Sequence, residues 1–513
     1  MPIENTHNNN SDRLENIDAR TTGGVHRPAV ATGKKCHCPK CQISVFVSGT
    51  QPPVACPYCR SVFAVSETKM PVADEYPRQS TKEVQSRLKT LYSKQSTWLL
   101  GAIALLGVFL LGYAVFLQLR SVDDFHYHPL VSLFSLCAGL FVVSRFVIAA
   151  FYAAPKDTAF LPTVSVLVPC MNEGESIRKT LERIFDSGYP VEQLEVVAVN
   201  DGSTDNTLVE MLKVQTRNPK LVIVDFERNR GLSHGWGVAI HIARGEFFIC
   251  IDSDTFIFPG AIRKLVQGFR DPRVGGISGH CDVDNANTNI LTQMQDVRYF
   301  FSYKIMKAAE SVFGTVSCLP GCFSAYRRLC VLEVMDEWIN ATVWGMHGNY
   351  ADDRSLTNLI LRDYKILYDD QALATTIAPD KWKVYVRQQS RWMRSYLREI
   401  WKTGLFIWRK GPVPALSWYT MMWLPLVEPF VMLDAMVLGP LRSAGGSDVT
   451  LLSYIFGVFS ITLIWALHFL GSTGRKWWWT GGVFTITYMV FFSWQLYWAL
   501  ATLRGKKWGT RGS

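Results

Sequence analysis

The stretch Glu246-Phe247-Phe248-Ile249-Cys250-Ile251-Asp252-Ser253-Asp254-Thr255 is an apolar run of strand length that stops at two acids one residue apart. Its Ile and Phe content, and the turn at Pro259-Gly260, predict a buried parallel strand with Asp252 and Asp254 at its carboxyl end, where ligands bind beyond the sheet. Two carboxylates with nothing basic beside them are costly unless a hard cation sits between them and an anionic group. The pattern therefore fits a divalent metal holding a nucleotide diphosphate. Asp-x-Asp alone also describes a solvated acidic turn, so its surroundings decide. Glu173 follows the strand pattern 163–169, and Asp201 ends the strand Leu194–Val199 at a turn opening a helix. A further strand, Leu221–Phe226, completes a strand–helix alternation that predicts a doubly wound α/β sheet. That sheet lines up Glu173, Asp201, Asp252 and Asp254 along one carboxyl edge. Asp353 opens an apolar-periodic helix; an acid there is either a cap or a general base taking a proton from an attacking hydroxyl.

Other elements must position these acids. Phe313–Arg328, which includes Cys318, Pro320, Gly321 and Tyr326, mixes turn formers with small and aromatic residues. It fits either a core loop or a platform for a neutral polar acceptor. From Arg387 the chain places Arg387, Arg391, Arg394 and Arg398 on one helical face, against an apolar stripe of Trp392, Tyr396, Leu397, Ile400, Trp401 and Trp408. Such a helix lies in a bilayer interface. Gln388 and the Arg391-Trp392 pair suit a diphosphate and a sugar platform. Membrane-helix character appears at 97–119, 129–153, 422–440 and 451–471. The apolar stretch 477–503 has basic residues at both ends, which predicts a kinked, re-entrant or interfacial segment. Arg145 lies inside an apolar segment, where it packs, snorkels or lines a polar path.

The chain carries a formal charge of +10, 48% hydrophobic residues, 17 Trp and 29 Phe among its 513 residues. This excludes a purely soluble enzyme. The basic residues flank apolar runs or line one helix, so positive-inside topology, anionic lipid and a polyphosphate substrate account for the charge, and no nucleic-acid partner is expected. The polar first 95 residues show no cleavable signal peptide. Residues 1–33 have the composition of a disordered tail. Cys38 and Cys41, then Cys56 and Cys59, form two Cys-x-x-Cys knuckles that predict a zinc ribbon over 34–67, with a structural Zn²⁺ and Cys36 and His37 as spare ligands. Its role is open, with docking of an unknown partner among the options. The scattered remaining cysteines, of twelve in all, suit reduced cytosolic thiols. A polar linker (68–96), two membrane helices (97–154), a cytosolic α/β domain (155–386), interface helices (387–421), further membrane or re-entrant helices (422–504) and a tail (505–513) complete the expected organisation.

Together these motifs resemble processive family 2 glycosyltransferases, the hyaluronan, chitin and cellulose synthases, over roughly residues 97–513. The resemblance implies a GT-A domain fused to a transmembrane channel, at the plasma membrane, with catalytic domain, ribbon and tail cytosolic. It implies that Glu173, Asp201 and Asp252 contact the donor nucleotide, that Asp252 and Asp254 bind Mg²⁺ or Mn²⁺, and that Asp353 is the catalytic base. Gln388, Arg391 and Trp392 match the Gln-x-x-Arg-Trp signature of processive members, with Arg391 also on the donor. Trp508-Gly509-Thr510-Arg511-Gly512 is similar to a nucleotide-contacting tail of hyaluronan synthases, with Trp508 and Arg511 as its donor contacts. Cys318, Pro320, Gly321 and Tyr326 resemble the acceptor region of chitin synthases. The expected activity is inverting polymerisation from UDP-N-acetylglucosamine, with UDP-glucuronate as second donor or without it, and export of the polysaccharide. Single-sugar transfer to a lipid carrier and a silent scaffold are the alternatives. The sequence departs from the family at Asn229–His234, where many relatives carry Gly-Lys, so Arg230 or His234 is expected to supply the phosphate contact.

Overall fold

Long β-branched runs set the centre of the molecule. Val164, Val166, Leu167 and Val168 and, beside them, Val196, Val197, Ala198 and Val199 are buried on both faces, as parallel strands covered by helices on both sides must be. The computed structural model describes residues 32–47, 61, 64–69, 109, 112–113, 129–343, 346–347, 353–438, 441 and 449–503. Cys56, Cys59, Trp508 and Arg511, and most of the expected membrane segment 97–119, lie outside the described residues.

In chain order the strands are β1 Thr32–His37, β2 Ile43–Val47, β3 Ala64–Lys69, β4 Val164–Cys170, β5 Leu194–Asp201, β6 Leu221–Phe226, β7 Phe247–Cys250, β8 Thr255–Ile257, β9 Val274–Val283, β10 Ser324–Arg327, β11 Thr342–Val343, β12 Met346–His347 and β13 Lys365–Thr376. Apart from the β11–β12 hairpin they form one mixed sheet of eleven, ordered β3-β1-β2-β6-β5-β4-β7-β10-β9-β13-β8. β6, β5, β4 and β7 are parallel neighbours. β10 runs antiparallel between β7 and β9, with Ala325 opposite both Ile249 and Ile277. This reversal brings the loop before β10 back to the carboxyl end of β7.

The strands of the expected zinc ribbon are part of this sheet. β2 pairs antiparallel with β6, placing Ile43 opposite Phe226 and Val45 opposite Val224. The physical reason is edge complementarity: β6 would otherwise present an open row of backbone groups, and Ile43, Val45 and Phe46 join the core. Gln215 Nε2 donates to the Phe46 carbonyl at 2.8 Å. Cys36, like Cys38, is fully buried among core residues, and His37 Nδ1 lies 3.2 Å from Ser44 Oγ.

Three helices among the described residues are long and apolar enough to cross a membrane: Val131–Ala149, Pro412–Leu438 and Tyr454–Thr473. The second begins ten residues earlier than the expected 422, because Pro412 follows Gly411 (φ 116°) and opens the helix. Arg145 is packed, donating to Ser417 Oγ at 2.8 Å across the first two spans. The stretch 477–503 breaks into Thr480–Thr487, the π-helical turn Tyr488–Phe492 and Gln495–Ala501.

Just after the third span, Arg475 anchors this region to the sheet domain. Its Nη1 lies 2.6 Å from both carboxylate oxygens of Asp296, and its Nη2 is 3.4 Å from Asp282. Trp477 Nε1 donates to Asp296 at 2.8 Å. His280 lies between Asp282 (3.4 Å) and the Tyr368 hydroxyl (2.6 Å). Burial alone would raise Asp282, but Arg475 and then His280 hold it below the usual carboxylate range. Removing one partner of such a buried pair costs about 3–5 kcal/mol, whereas replacing both by apolar groups does not. Thermal melting therefore shows a large loss for Arg475→Met and a substantial recovery in the double variant Arg475→Met/Asp296→Leu.

Candidate active site

β7 ends at Cys250, and Ile251 N still pairs with the Leu167 carbonyl at 3.2 Å. The chain then turns within one residue. Thr255 N donates to the Asp252 carbonyl at 3.0 Å, and Thr180 Oγ1, from the helix Ile177–Phe185, donates to the Ser253 carbonyl at 2.7 Å. Asp252 and Asp254 are fixed at the sheet edge in this way. Thr376 Oγ1 donates to Asp254 Oδ1 at 3.2 Å.

Asp353 reaches the same place from the start of the helix Asp353–Leu361. Its Oδ2 accepts from Gly321 N at 3.1 Å and its Oδ1 from Arg354 N at 2.9 Å. Gly321 is the hinge of the arrangement: a Cβ there would lie 2.8 Å from Asp252 Oδ1. The metal-type acid and the candidate base thus face the same glycine from two sides. Burial, then Asp254 and Asp353, push the Asp252 carboxyl up to about 7, with Arg391 opposing and Glu173 adding. Glu173 accepts from Ser176 Oγ at 2.8 Å. Asp201 sits at a separate point on the edge, where its oxygens accept from Arg230 N (2.7 Å) and Gly231 N (2.9 Å).

The donor set tests for a cation. Among the described residues no group of three or more His, Cys, Asp or Glu closes around one point. Asp252 and Asp254 fit a hard divalent ion that takes its other ligands from a diphosphate and water, as Mg²⁺ commonly does, and do not fit an all-protein cage. In the N-terminal hairpin Cys41 N lies 3.3 Å from Cys38 Sγ, the local fold of a Cys-x-x-Cys knuckle.

The acceptor-type loop is tied to the base helix by Thr357, which sequence reasoning had given no role. Its hydroxyl accepts from Leu319 N at 2.9 Å and donates to the Asp353 carbonyl at 2.7 Å. The Cys318 carbonyl accepts from Lys307 Nζ. Pro320 precedes the hinge glycine. Tyr326 is 2% exposed and donates to the Leu319 carbonyl at 3.3 Å, so it supports the loop from beneath and does not face an acceptor. The expected phosphate contact from Arg230 is also corrected: its guanidinium turns away to the Cys41 carbonyl.

Gln388, Arg391 and Trp392 lie on the helix Trp382–Gly404. Arg391 faces the acids, where its charge acts on Asp252. The buried glutamine is the neighbour, Gln389, whose Oε1 accepts from Arg298 Nη1 at 2.5 Å. Arg298 also donates to the Tyr385 hydroxyl at 3.2 Å and lies 6.0 Å from the Trp392 ring and 5.5 Å from the Phe484 ring. It joins the interface helix to the last membrane-side helices. Nothing local in the sequence marks it. Gln495 Nε2 donates to Ser390 Oγ at 2.9 Å from the C-terminal side.

Comparison with known proteins bears on the fold and on the sequence match. Residues 170–403 match the chitin synthase family model. A solved mannosyltransferase from Pyrobaculum calidifontis, in complex with GDP-Man and Mn²⁺, superimposes with a TM-score of 0.52 at 20% identity, covering 74% of this chain and all of that one. The fold is a GT-A glycosyltransferase fold, and the matched stretch is similar in sequence to chitin synthases. Hyaluronan synthase of Streptococcus pyogenes serotype M3 is 29% identical over 275 residues, which are 52% of this chain and 65% of that protein. An N-acetylglucosaminyltransferase of Rhizobium meliloti is 33% identical over 250 residues, 48% of this chain and 58% of its own length. The chain thus spans less than two thirds of these curated relatives, and the match lies in the GT-A domain and the interface helix.

The raised Asp252 has a consequence for stability. The folded GT-A domain holds this proton more strongly than the unfolded chain, where an aspartate titrates near ~4, so stability falls as pH rises through the window from about 4 to about 7. With a chelator present, Asp252→Asn melts above the wild type at pH 8, and the gap narrows towards pH 5. A gap independent of pH would refute the assignment.

Proposed function

We propose that the protein is a membrane-embedded, processive, inverting β-glycosyltransferase that polymerises N-acetylglucosamine-containing polysaccharide from UDP-N-acetylglucosamine and passes the chain across the bilayer. The observation that carries this is the meeting of Asp252 and Asp353 on the two sides of Gly321, under the charge of Arg391. The streptococcal and rhizobial relatives support N-acetylglucosamine as a donor sugar, and the chitin synthase match supports a polymer.

Asp252 and Asp254 would hold Mg²⁺ or Mn²⁺, which when bound neutralises charge on the leaving nucleotide diphosphate. Arg391 adds a fixed positive charge on the same side. Asp353 takes the proton from the acceptor hydroxyl as it attacks the anomeric carbon, and the Gly321 and Arg354 amides orient its two oxygens for that step. Asp201 would bind the uridine, with Glu173 close by, and Trp508 and Arg511 of the tail would add donor contacts. Gln388 and Trp392 would hold the terminal sugar at the mouth of the membrane helices, and Cys318, Pro320 and Gly321 would line the acceptor side. The catalytic domain faces the cytosol, where nucleotide sugars are made. Zn²⁺ at Cys38, Cys41, Cys56 and Cys59 would complete the N-terminal hairpin.

Purified protein incubated with UDP-N-acetylglucosamine, alone and with UDP-glucuronate, yields high-molecular-weight product; chitinase or hyaluronidase digestion then names it. Short lipid-linked product, or no UDP release, would contradict the proposal. Asp353→Asn lowers turnover by about a thousandfold or more, within the range of a lost general base, while UDP affinity measured by calorimetry stays within about twofold. Gly321→Ala displaces the Asp252 carboxylate and lowers turnover by about a hundredfold, the order expected for a 1 Å misplacement.

A further inference from the structure

The N-terminal hairpin meets the catalytic domain at a point the transferase function leaves unexplained. Its turn is tightly made: Gln42 holds φ 54°, Gln42 N donates to the Cys38 carbonyl at 2.8 Å, and Cys38 N donates to the Ile43 carbonyl at 2.9 Å. Facing it is the segment Arg228–Gly231, whose amides hold Asp201. That segment is also wedged against the Asp201 turn, since a Cβ on Gly202 (φ +68°) would lie 2.4 Å from Arg228 C and Asn229 N.

One residue spans both sides. Arg230 N donates to Asp201 Oδ1 at 2.7 Å, while its guanidinium donates to the Cys41 carbonyl and lies 5.4 Å from the Phe226 ring. Its Nη1 is 3.5 Å from His234 Nε2. Lys40, Cys41 and Gln42 from the hairpin, with Arg228, Asn229, Arg230 and His234 from the segment, line one open cleft of about 630 Å³. The cleft is positively charged on both walls.

We propose that the hairpin turn and Arg230 form the outer wall of the donor site at its nucleoside end, with Arg230 as a positioning residue that fixes Asp201 by its backbone and is itself fixed by the Cys41 carbonyl. The inference rests on the transferase function proposed above. The segment 228–231 is a loop held by its backbone to Asp201 and, through the Gly231 carbonyl, which accepts from His234 N and Gly235 N, to the following helix. The guanidinium anchor is its tie to the hairpin, and without it more of the ordering must come out of the donor's binding energy. The hairpin then sets nucleotide affinity without touching the reacting atoms.

The test uses full-length protein in detergent and three substitutions. Arg230→Met removes the anchor but keeps the backbone amides on Asp201; Arg230→Lys keeps a donor for the Cys41 carbonyl. Gln42→Val forces a β-branched residue out of the left-handed region and shifts that carbonyl from the hairpin side. Calorimetry with Mg²⁺ and UDP, and donor-dependent UDP release, are expected to show the dissociation constant and KM rising about tenfold in Arg230→Met, as for one lost charge-assisted hydrogen bond. The turnover number stays within about twofold. Arg230→Lys recovers most of the affinity, and Gln42→Val combined with Arg230→Met is no worse than the poorer single variant, because both break one contact.

Hydrogen exchange separates this coupling from the transferase reading itself. The Arg230 and Gly231 amides exchange faster in Arg230→Met and in Gln42→Val, with the global melting temperature held. Unchanged exchange in both variants overturns the coupling whatever the protein binds. Wild-type protein that binds no UDP sinks the donor role. A fall in turnover at constant KM, or fully additive losses in the double variant, also overturns the proposal.

Discussion

Mutual repulsion among three aspartates is the constraint on which the rest of the molecule depends. Asp252, Asp254 and Asp353 come from two distant parts of the chain, and burial first, then the charges of Asp254 and Asp353, raise the cost of ionising Asp252. Left to itself such a cluster would spread apart or protonate. It is held by the backbone: the turn after β7 is pinned by Thr180, and the carboxylate of Asp353 by two amides. The reversed strand β10 brings Gly321 between them, and no side chain there would fit without moving Asp252. Arg391 opposes this electrostatic cost, and a divalent cation between the acids would relieve it further.

Arg391 belongs to a helix that also packs against the C-terminal apolar helices. Helix Trp382–Gly404 is braced from several directions, by Arg298 at Gln389 and Tyr385, by Gln495 at Ser390, and by Arg398 donating to the Leu503 carbonyl at 3.0 Å. The Arg475–Asp296 pair clamps the end of the third span to the sheet domain. The cluster of acids and the apolar helices are therefore mechanically one body.

Much of this was legible in the sequence because it is local. The strands β4 to β7 appear as β-branched or aromatic runs, the acids as abrupt stops at their ends, and Asp353 as the first residue of a periodic helix. The break in 477–503 was foreshadowed by basic residues at both ends. What escaped depends on contacts between segments remote in the chain. Arg298 and Arg475 look like ordinary basic residues; Arg475 becomes an anchor only because Asp296, 179 positions away, is buried beside it. The docking of β2 on β6 needs an open edge that no local pattern reveals. Arg230 stands where a phosphate contact was expected, and its side chain is claimed instead by a carbonyl 189 positions upstream. Tyr326 sits in a motif that reads as a surface platform, yet it is covered by the loop it supports.

The central claim is that Asp252 and Asp254 share one cation with the donor diphosphate. Two ligands that meet at a shared ion must strengthen each other equally. Electron paramagnetic resonance of Mn²⁺, titrated with and without UDP and in Asp252→Asn, measures that coupling directly. The account predicts weak Mn²⁺ binding alone, at least tenfold tighter binding when UDP is present, and loss of the enhancement in the variant. UDP binding that is equally tight in EDTA, or Mn²⁺ binding indifferent to both UDP and Asp252, would contradict it.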